Sequence, residues 1–401
     1  MKILIIANYT SLPWNNGNGR FIYLINKLKP EINNIELISS SFRHSKKQKE
    51  TIPHNNGIQN WNYKITLLDE PGYKKNVSFK RLYSHKILSR NLKRYLKSLN
   101  YEPDIIYCSI PSLDFANVAV RYANKKNIKF ILDIQDLWPE AFKMILNVPV
   151  LSDIIFYPMI KKANYIYSHS DEIVAVSQTY VDRALKVNKK LNKGLSVFLG
   201  TDLRYFDKCA KENKVMYNDN LIRIVYIGTL GTSYDIKSIV DAIKIVNEKE
   251  IHNIKFIVMG DGPLKNNFEE YAKKKGIKYE FTGKLDYPKM VGILCSCDIA
   301  VNPIVGTSVA SIINKVGDYA AAGLPVINTQ NSIEYRELID KYEAGFNCEN
   351  GKLIDLAKKL EILIKDKKLR NKLGKGNRKL AEEKFDRKIT YQEIVKIIGG
   401  K

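Results

Sequence analysis

Short, continuous apolar runs alternate with longer amphipathic stretches along this chain, and that alternation constrains the fold more than any other feature. The runs are rich in Ile, Val and Leu, and the stretches between them repeat their apolar residues at helical spacing. This pattern is typical of parallel strands that helices cover on both faces. The predicted strands are 2–8, 35–39, 104–108, 129–132, 172–177 and 196–199, then 222–227, 255–259, 278–282, 298–302 and 325–329.

The alternation starts twice, which predicts two domains. A chain of 401 residues is too long for one ordinary hydrophobic core. Two strand–helix series in tandem predict two doubly wound α/β domains. Because the stretch 207–220 is polar, we expect one domain over residues 1–206 and a second over 207–375. The charged helical tail over 376–401 has no strand to follow and is expected to return to the first domain.

Several classes of protein are excluded at this stage. No apolar stretch is long enough to cross a bilayer, and the apolar run at Met1–Ala7 is too short for a signal peptide. The five Cys are scattered and include no Cys-x-x-Cys pair, which argues against a disulfide framework and a zinc site. There is no Asp-x-Asp or His cluster. We therefore expect a cytoplasmic protein with no metal or other cofactor.

The positive charge is concentrated in the first half of the chain. The net charge is +23, of which +15 lies in residues 1–200, and residues 71–101 contain nine basic side chains and no acidic one. Leu88, Leu92 and Leu96 stand there at helical spacing, so one helix face packs and the other is cationic. Such a face predicts docking on an anionic membrane; the alternative is a solvated helix face. The docking residues would be Lys86, Arg90, Lys93, Arg94 and Lys97.

Two glycine-bearing loops follow predicted strands. Gly17 and Gly19 follow the first strand of the chain, and Gly228 and Gly231 follow the first strand of the second series. A loop of this kind exposes backbone N–H groups to an anion, although a plain tight turn is the alternative. No third glycine completes G-x-G-x-x-G, so a nicotinamide site is poorly supported.

Lys315 and Asp318 are three residues apart and share one helix face. This pairing suits a nucleoside diphosphate, because the cation can meet the diphosphate and the carboxylate can meet the ribose hydroxyls. An ordinary surface ion pair is the alternative.

The chain resembles glycosyltransferase family 4 in several segments that occur in the family's order from residue 1 to about 390. The segment 314–327 resembles the family signature, and four further segments are similar to family loops. They are Gly260-Asp261-Gly262-Pro263, Thr282-Gly283-Lys284-Leu285, the interdomain stretch 199–206, and Asp136-Leu137-Trp138-Pro139 within 133–140. The resemblance implies the GT-B fold, in which two Rossmann-like domains face each other across a cleft.

The resemblance also implies residue roles. Lys315 would clamp the donor diphosphate, Asp318 would bind ribose, and the acid usually found eight residues before Asp318 is Ala310 here. The Arg and Lys of the usual clamp are absent, with Thr229 at the Arg position and Lys237 displaced. The full set of predicted donor-binding residues is Gly17, Gly19, Thr229, Gly231, Gly260, Gly283, Lys284, Leu285, Lys315 and Asp318.

Lys315 and Asp136 carry the predicted chemistry. Lys315, with backbone N–H groups, would stabilise the negative charge that grows on the departing phosphate. Asp136 would orient the acceptor hydroxyl or act as its general base, while Trp138 and Glu140 would contact the acceptor or the sugar. The alternative is that Asp136 and Glu140 only cap the helix after Pro139 and that Trp138 is part of the core.

These observations predict a glycosyltransferase that moves a sugar from a nucleotide-sugar donor to a lipid-linked glycan acceptor in surface polysaccharide biosynthesis. The resemblance implies retention of anomeric configuration. We expect the protein on the inner face of the plasma membrane, with no nucleic acid partner. A sugar-nucleotide epimerase of the same fold and a non-catalytic polyanion-binding module remain the alternatives.

Overall fold

The computed structural model divides into two compact units. One comprises Met1–Phe198 with Tyr391–Lys401, and the other comprises Leu199–Thr390. The sequence predicted boundaries at 206/207 and 375/376, whereas the two units divide at 198/199 and 390/391. The structure describes residues 1–15, 18–28, 34–44, 46–53, 61–75, 78–143, 151–249, 251–305, 312 and 314–399, with the backbone alone for 151–153.

The first unit is a parallel sheet with helices. Among its described residues, seven strands form one sheet in the order β5-β2-β1-β6-β7-β8-β9, and β3 with β4 forms an antiparallel hairpin. The strands are β1 (Lys2–Ile6), β2 (Asn34–Ser40), β3 (Phe42–Arg43), β4 (Gln48–Lys49), β5 (Lys64–Leu68), β6 (Ile105–Ile110), β7 (Lys129–Ile134), β8 (Glu172–Ala175) and β9 (Leu195–Ser196). The helices are α1 (Arg20–Leu28), α2 (Phe79–Ser98), α3 (Leu113–Lys126), α4 (Glu140–Lys143), α5 (Leu151–Ser168) and α6 (Gln178–Leu185), with a 3-10 turn at Pro13–Asn15.

The second unit repeats the plan. In the part of it that the structure describes, six parallel strands follow the order β12-β11-β10-β13-β14-β15. The strands are β10 (Ile222–Ile227), β11 (Ile254–Met259), β12 (Tyr279–Gly283), β13 (Ile299–Asn302), β14 (Val326–Asn328) and β15 (Gly345–Asn347). The helices are α7 (Leu203–Glu212), α8 (Ile236–Asn247), α9 (Lys265–Lys275), α10 (Tyr287–Leu294), α11 (Asn314–Ala321), α12 (Ile333–Lys341), α13 (Leu353–Lys365), α14 (Lys367–Leu380) and α15 (Arg387–Thr390), with a π-helical turn at Ala381–Phe385.

The strands that the sequence predicted are present, and the predicted doubly wound α/β class is confirmed. Their continuous apolar composition matches their position, since every residue of β6 and of β13 is buried. The edge strands β5 and β15 were not predicted. On β5, Thr66 donates a hydrogen bond to Glu36 and interrupts the apolar run, and β15 begins at a glycine with φ of +155°.

A buried ion pair ties three segments of the first unit together. The guanidinium of Arg20, at the start of α1, donates to both carboxylate oxygens of Asp133 on β7, at 2.9 and 3.2 Å. It also donates to the Tyr391 hydroxyl at 2.9 Å, just before the last helix, α16 (Gln392–Gly399), which packs against α1. Burial of a charged pair is tolerated because each group is hydrogen-bonded by the others. Both loops predicted to carry function in this unit are therefore anchored to one ion pair.

Candidate active site

In the second unit, the loops after β10 and β11 pack backbone against backbone. The Gly228 N–H donates to the carbonyl oxygen of Met259, and the Leu230 N–H donates to that of Asp261, both at 2.9 Å. A Cβ atom on Gly260 would overlap the Gly228 carbonyl oxygen. The absence of a side chain at Gly260 is therefore required by this close approach. The loops of Gly228 and Gly260 form one surface at the carboxyl ends of the strands.

Lys315, the second residue of α11, places its ammonium beside this surface. Lys315 is buried, with 9% of the residue's surface exposed. Its Nζ has no hydrogen-bond partner among the described residues, and a Cβ on Gly228 would lie 3.0 Å from it. Burial lowers the pKa of this ammonium well below its usual value.

Two tyrosine rings hold the Lys315 ammonium. Nζ lies 4.1 Å from the ring centroid of Tyr226, on β10, and 3.8 Å from that of Tyr234, in the loop before α8. The Tyr226 hydroxyl donates to the Thr229 carbonyl oxygen at 2.8 Å, which fixes the ring and the loop together. These contacts are cation–π interactions. They orient the ammonium but leave its hydrogen-bonding capacity unused.

Asp318 lies on the same helix but has different partners. The Tyr287 hydroxyl donates to its Oδ1 at 2.8 Å, and the Thr201 hydroxyl donates to the same oxygen at 3.4 Å. Burial raises its pKa to about 6, while the Tyr287 hydrogen bond and the nearby Arg387 act in the opposite direction. No ion pair joins Asp318 to Lys315 in the described part of the chain, so the surface ion pair considered above does not form.

The other predicted donor residues of the second unit border these loops. Thr229 and Lys284 are exposed, whereas Gly231, Gly260, Gly283 and Leu285 are half-buried. Gly283 has a φ of +72° at the end of β12. The structure thus brings the loops of Thr229 and Gly260 together with Lys315. Ala310 lies outside the described residues.

In the first unit, Asp136 is the residue predicted to orient the acceptor or act as its general base. It lies in the loop after β7, where its Oδ2 accepts a hydrogen bond from Trp138 Nε1 at 3.1 Å. Burial raises the pKa of its carboxyl group, against the opposing effect of the Trp138 hydrogen bond.

Trp138 is buried, whereas about one third of the Glu140 side chain is exposed. Trp138 is 5% exposed and stacks on His85, with ring centroids 5.8 Å apart. Glu140 accepts a hydrogen bond from Arg183 Nε at 2.6 Å. Of the predicted phosphate loop, Gly19 lies against Ser11, and Gly17 lies outside the described residues.

Sequence reasoning missed a hydrogen-bonded chain of side chains in the first unit. Lys47 Nζ lies 3.2 Å from His44 Nδ1, which lies 2.7 Å from the Tyr73 hydroxyl. That hydroxyl is 3.2 Å from the Tyr9 hydroxyl, which is 2.9 Å from His85 Nε2. Burial lowers the pKa of His44 to about 4 and that of His85 to about 3, and nearby cations add to both shifts. Both imidazoles are therefore neutral at pH 7.

The basic helix predicted for membrane docking is α2. Leu88, Leu92 and Leu96 are buried and form its packed face. Its exposed face carries the five predicted basic residues and begins with three exposed apolar side chains. These are Phe79, Leu82 and Tyr83, which are 89%, 46% and 59% exposed. At the start of α5, Ile154, Ile155 and Tyr157 are also exposed.

The described part of the chain contains neither a candidate membrane-spanning helix nor a candidate metal site. None of the described helices is both long and apolar enough to span a membrane. The described side chains include no group of three or more His, Cys, Asp or Glu that could hold a metal ion.

Comparison with known proteins identifies the second unit. Residues 208–380 match the model of the family described as glycosyl transferases group 1. The second unit contains a glycosyl transferases group 1 domain. The match covers β10 to β15, the loops of Gly228 and Gly260 and Lys315, and the chain is a glycosyltransferase.

Relatives with known names extend over more of this glycosyltransferase. It is 25% identical over 343 residues to an alpha-1,4-N-acetyl-D-galactosaminyltransferase of Campylobacter jejuni, covering 84% of each chain. The name of that relative includes a PP-undecaprenol-linked glycan. It is also 26% identical over 238 residues to the capsular polysaccharide biosynthesis glycosyltransferase CapM of Staphylococcus aureus, covering 56% of this chain and 60% of CapM.

Solved structures establish the fold. The crystal structure of HepE from Anabaena in complex with UDP covers 100% of both chains with a TM-score of 0.71 and 14% identity. The glycosyltransferase WaaG, involved in lipopolysaccharide biosynthesis, covers 99% of this chain with a TM-score of 0.66. At these identities the likeness shows the fold alone, and the predicted GT-B fold is confirmed.

Proposed function

We propose that this glycosyltransferase transfers a sugar from a nucleotide-sugar donor to a lipid-linked glycan in the biosynthesis of a surface polysaccharide. The second unit binds the donor and the first unit binds the acceptor. The observation that carries the proposal is the buried Lys315 ammonium, which has no hydrogen-bond partner among the described residues and lies beside Gly228. The names of the Campylobacter and Staphylococcus relatives support the class of acceptor, and the family 4 resemblance supports retention of anomeric configuration.

The donor diphosphate would complete the environment of Lys315. A buried ammonium is costly unless an anion pairs with it, and a diphosphate supplies that anion. As the sugar–phosphate bond breaks, negative charge grows on the departing phosphate, and a preorganised cation stabilises it more strongly than it stabilises the bound donor. This role includes no metal ion. In the same proposal, the Asp318 carboxylate accepts hydrogen bonds from the ribose hydroxyls.

Replacing Lys315 with a side chain of similar length and no charge tests this role. Lys315→Met should weaken binding of UDP, the nucleotide found in the HepE structure, roughly 10- to 100-fold by calorimetry, because one charge-assisted contact is lost. The same variant should unfold at an equal or higher temperature, because a buried amino group that has no hydrogen-bond partner among the described residues is removed.

Lys237→Met is the matched control for that experiment. Lys237 is exposed on α8, near the Tyr271 ring, and its replacement should leave UDP affinity unchanged. Equal UDP affinity for Lys315→Met and the unaltered protein would remove Lys315 from the donor site.

Asp136 is the proposed acceptor-orienting group or general base in the first unit. Its raised pKa reflects burial, and a base with a raised pKa accepts a proton more readily at neutral pH. Trp138 Nε1 holds the carboxylate in one orientation at 3.1 Å. The Arg183 contact instead gives Glu140 a structural role in the first unit.

Transfer assays test the reaction and the role of Asp136 together. We expect label from one of a panel of UDP-, GDP- and dTDP-sugars to enter a lipid extract, and Asp136→Asn to reduce this transfer at least 10²-fold with unchanged donor affinity. Asp182→Asn, on the exposed face of α6, is the control. Conversion of the donor to an epimer without transfer would contradict the proposal and support the epimerase alternative.

We also propose that the exposed face of α2 docks on an anionic membrane. Phe79, Leu82 and Tyr83 supply apolar side chains for the interface, and Lys86, Arg90 and Arg94 follow on the same face at helical spacing. Lys93 and Lys97, the other two basic residues predicted for docking, line a cavity beside α3 and are not part of this proposed surface. This combination of apolar and basic side chains is typical of helices that lie at the bilayer surface. Docking there would place the protein on the inner face of the plasma membrane, where lipid-linked acceptors are available.

Vesicle binding tests the docking surface. Replacing Lys86, Arg90 and Arg94 together with Gln should weaken binding to vesicles containing phosphatidylglycerol about 100-fold, since each basic residue contributes about 1 kcal/mol. Replacing Lys273, Lys274 and Lys289 of the second unit with Gln removes the same charge and should have little effect. Equal losses for the two triple variants would show that net charge, and not the α2 surface, determines binding.

A further inference from the structure

The first unit contains a cavity of about 850 Å³ that the proposed reaction does not use. It lies between the last turns of α2 and α3 and is lined by Lys93 and Lys97 from α2 and by Arg121 and Lys125 from α3. Helices of a doubly wound unit run antiparallel to the strands, so their last turns lie at the amino ends of the strands. The cavity is therefore at the edge of the sheet opposite the loops that carry Tyr9 and Asp136.

The cavity has an apolar floor and a cationic rim. Leu96 is buried beneath it, and Leu99 and Val118 are half-buried beside it. Lys126, also in the lining, pairs with Glu102, the acidic residue of the lining, at 2.6 Å. In contrast, Lys93, Lys97 and Lys125 form no ion pair within the residues the structure describes.

Four of the cations form two rows of two residues each. Lys93 and Lys97 are four residues apart on α2, and Arg121 and Lys125 are four residues apart on α3, so the two residues of each row are spaced by about 6 Å along the helix. That spacing is close to the length of one pyranose residue in a chain. Tyr101 and Tyr122 add aromatic rings to the lining, and Asn100 adds a hydrogen-bonding group. The Oδ1 atom of Asn117 accepts a hydrogen bond from Arg121 Nε at 3.2 Å, which leaves the Asn117 amide NH2 facing the lining. Aromatic rings and amides are suited to the apolar faces and hydroxyls of sugars.

We propose that this cavity binds a linear anionic oligosaccharide, such as a polysaccharide with one acidic group per sugar. The two cationic rows would pair with its acidic groups, and the apolar floor with the two tyrosines would contact the sugar rings. A bilayer fits less well, because the described residues from 84 to 126 include no large exposed apolar side chain to insert. The inference does not rest on donor or acceptor chemistry.

Binding of an acidic oligosaccharide tests the cavity directly. The probe is a fluorescently labelled hexamer of galacturonate, and fluorescence anisotropy measures its affinity for the full chain. Replacing Lys97, Arg121 and Lys125 together with Gln should weaken binding at least 10-fold, because three charge contacts are lost. The Lys273, Lys274 and Lys289 to Gln variant carries the same net charge and should bind as the unaltered protein does.

The controls separate the glycan from other anionic partners. A neutral glucose hexamer should bind at least 10-fold more weakly than the galacturonate hexamer, and binding of the acidic probe should weaken as salt rises. The proposal is overturned by equal binding of the two hexamers, or by a cavity variant that keeps its affinity for galacturonate. It is also overturned if the cavity variant loses affinity for anionic vesicles or for single-stranded nucleic acid more than for galacturonate.

Discussion

The second unit is organised around one buried lysine. The Lys315 side-chain nitrogen is removed from water between the rings of Tyr226 and Tyr234, and among the described residues no oxygen accepts a hydrogen bond from it. Such an arrangement costs free energy in the unliganded protein, because aromatic quadrupoles offset only part of the lost hydration. In the proposed function, the same nitrogen gains a strong anionic partner when the donor diphosphate binds, so the proposal places stability and function in opposition at this residue.

The residues around Lys315 leave space beside its side-chain nitrogen and hold the neighbouring loop in place. Gly228 has no side chain that would crowd Nζ, and the close approach of Gly260 fixes the loop that contains Gly228. The Tyr319 hydroxyl accepts a hydrogen bond from the Ile227 N–H at 2.8 Å, at the end of β10. The helix that carries Lys315 thereby also holds the strand that precedes the glycine loop. A small set of backbone contacts thus positions both Lys315 and the loop of Gly228 beside it.

The sequence predicted the sheet architecture and the position of Lys315, but not the surroundings of Lys315. Continuous apolar runs indicate buried parallel strands whatever their partners are, and a motif specifies residues at fixed spacing. Tyr226 and Tyr234 meet Lys315 from about 80 to 90 residues away along the chain, and no local pattern encodes such a meeting. The same reason explains why the chain from Lys47 to His85 was missed, since its five residues come from four separate segments. Asp133 resembled part of a functional motif, yet its carboxylate pairs with Arg20.

Proton uptake on donor binding is the most direct test of the account. Burial lowers the pKa of Lys315 in the unliganded protein, and an adjacent diphosphate should raise it again. Calorimetry of UDP-sugar binding in two buffers with different ionisation enthalpies measures the protons taken up. A nucleotide sugar is preferable to UDP, because a terminal phosphate itself titrates near pH 6. The account predicts net proton uptake on donor binding at pH values below the usual pKa of a lysine, about 10.4, and predicts none in Lys315→Met. Donor binding with no proton uptake at any such pH, or with equal uptake in the variant, would contradict it.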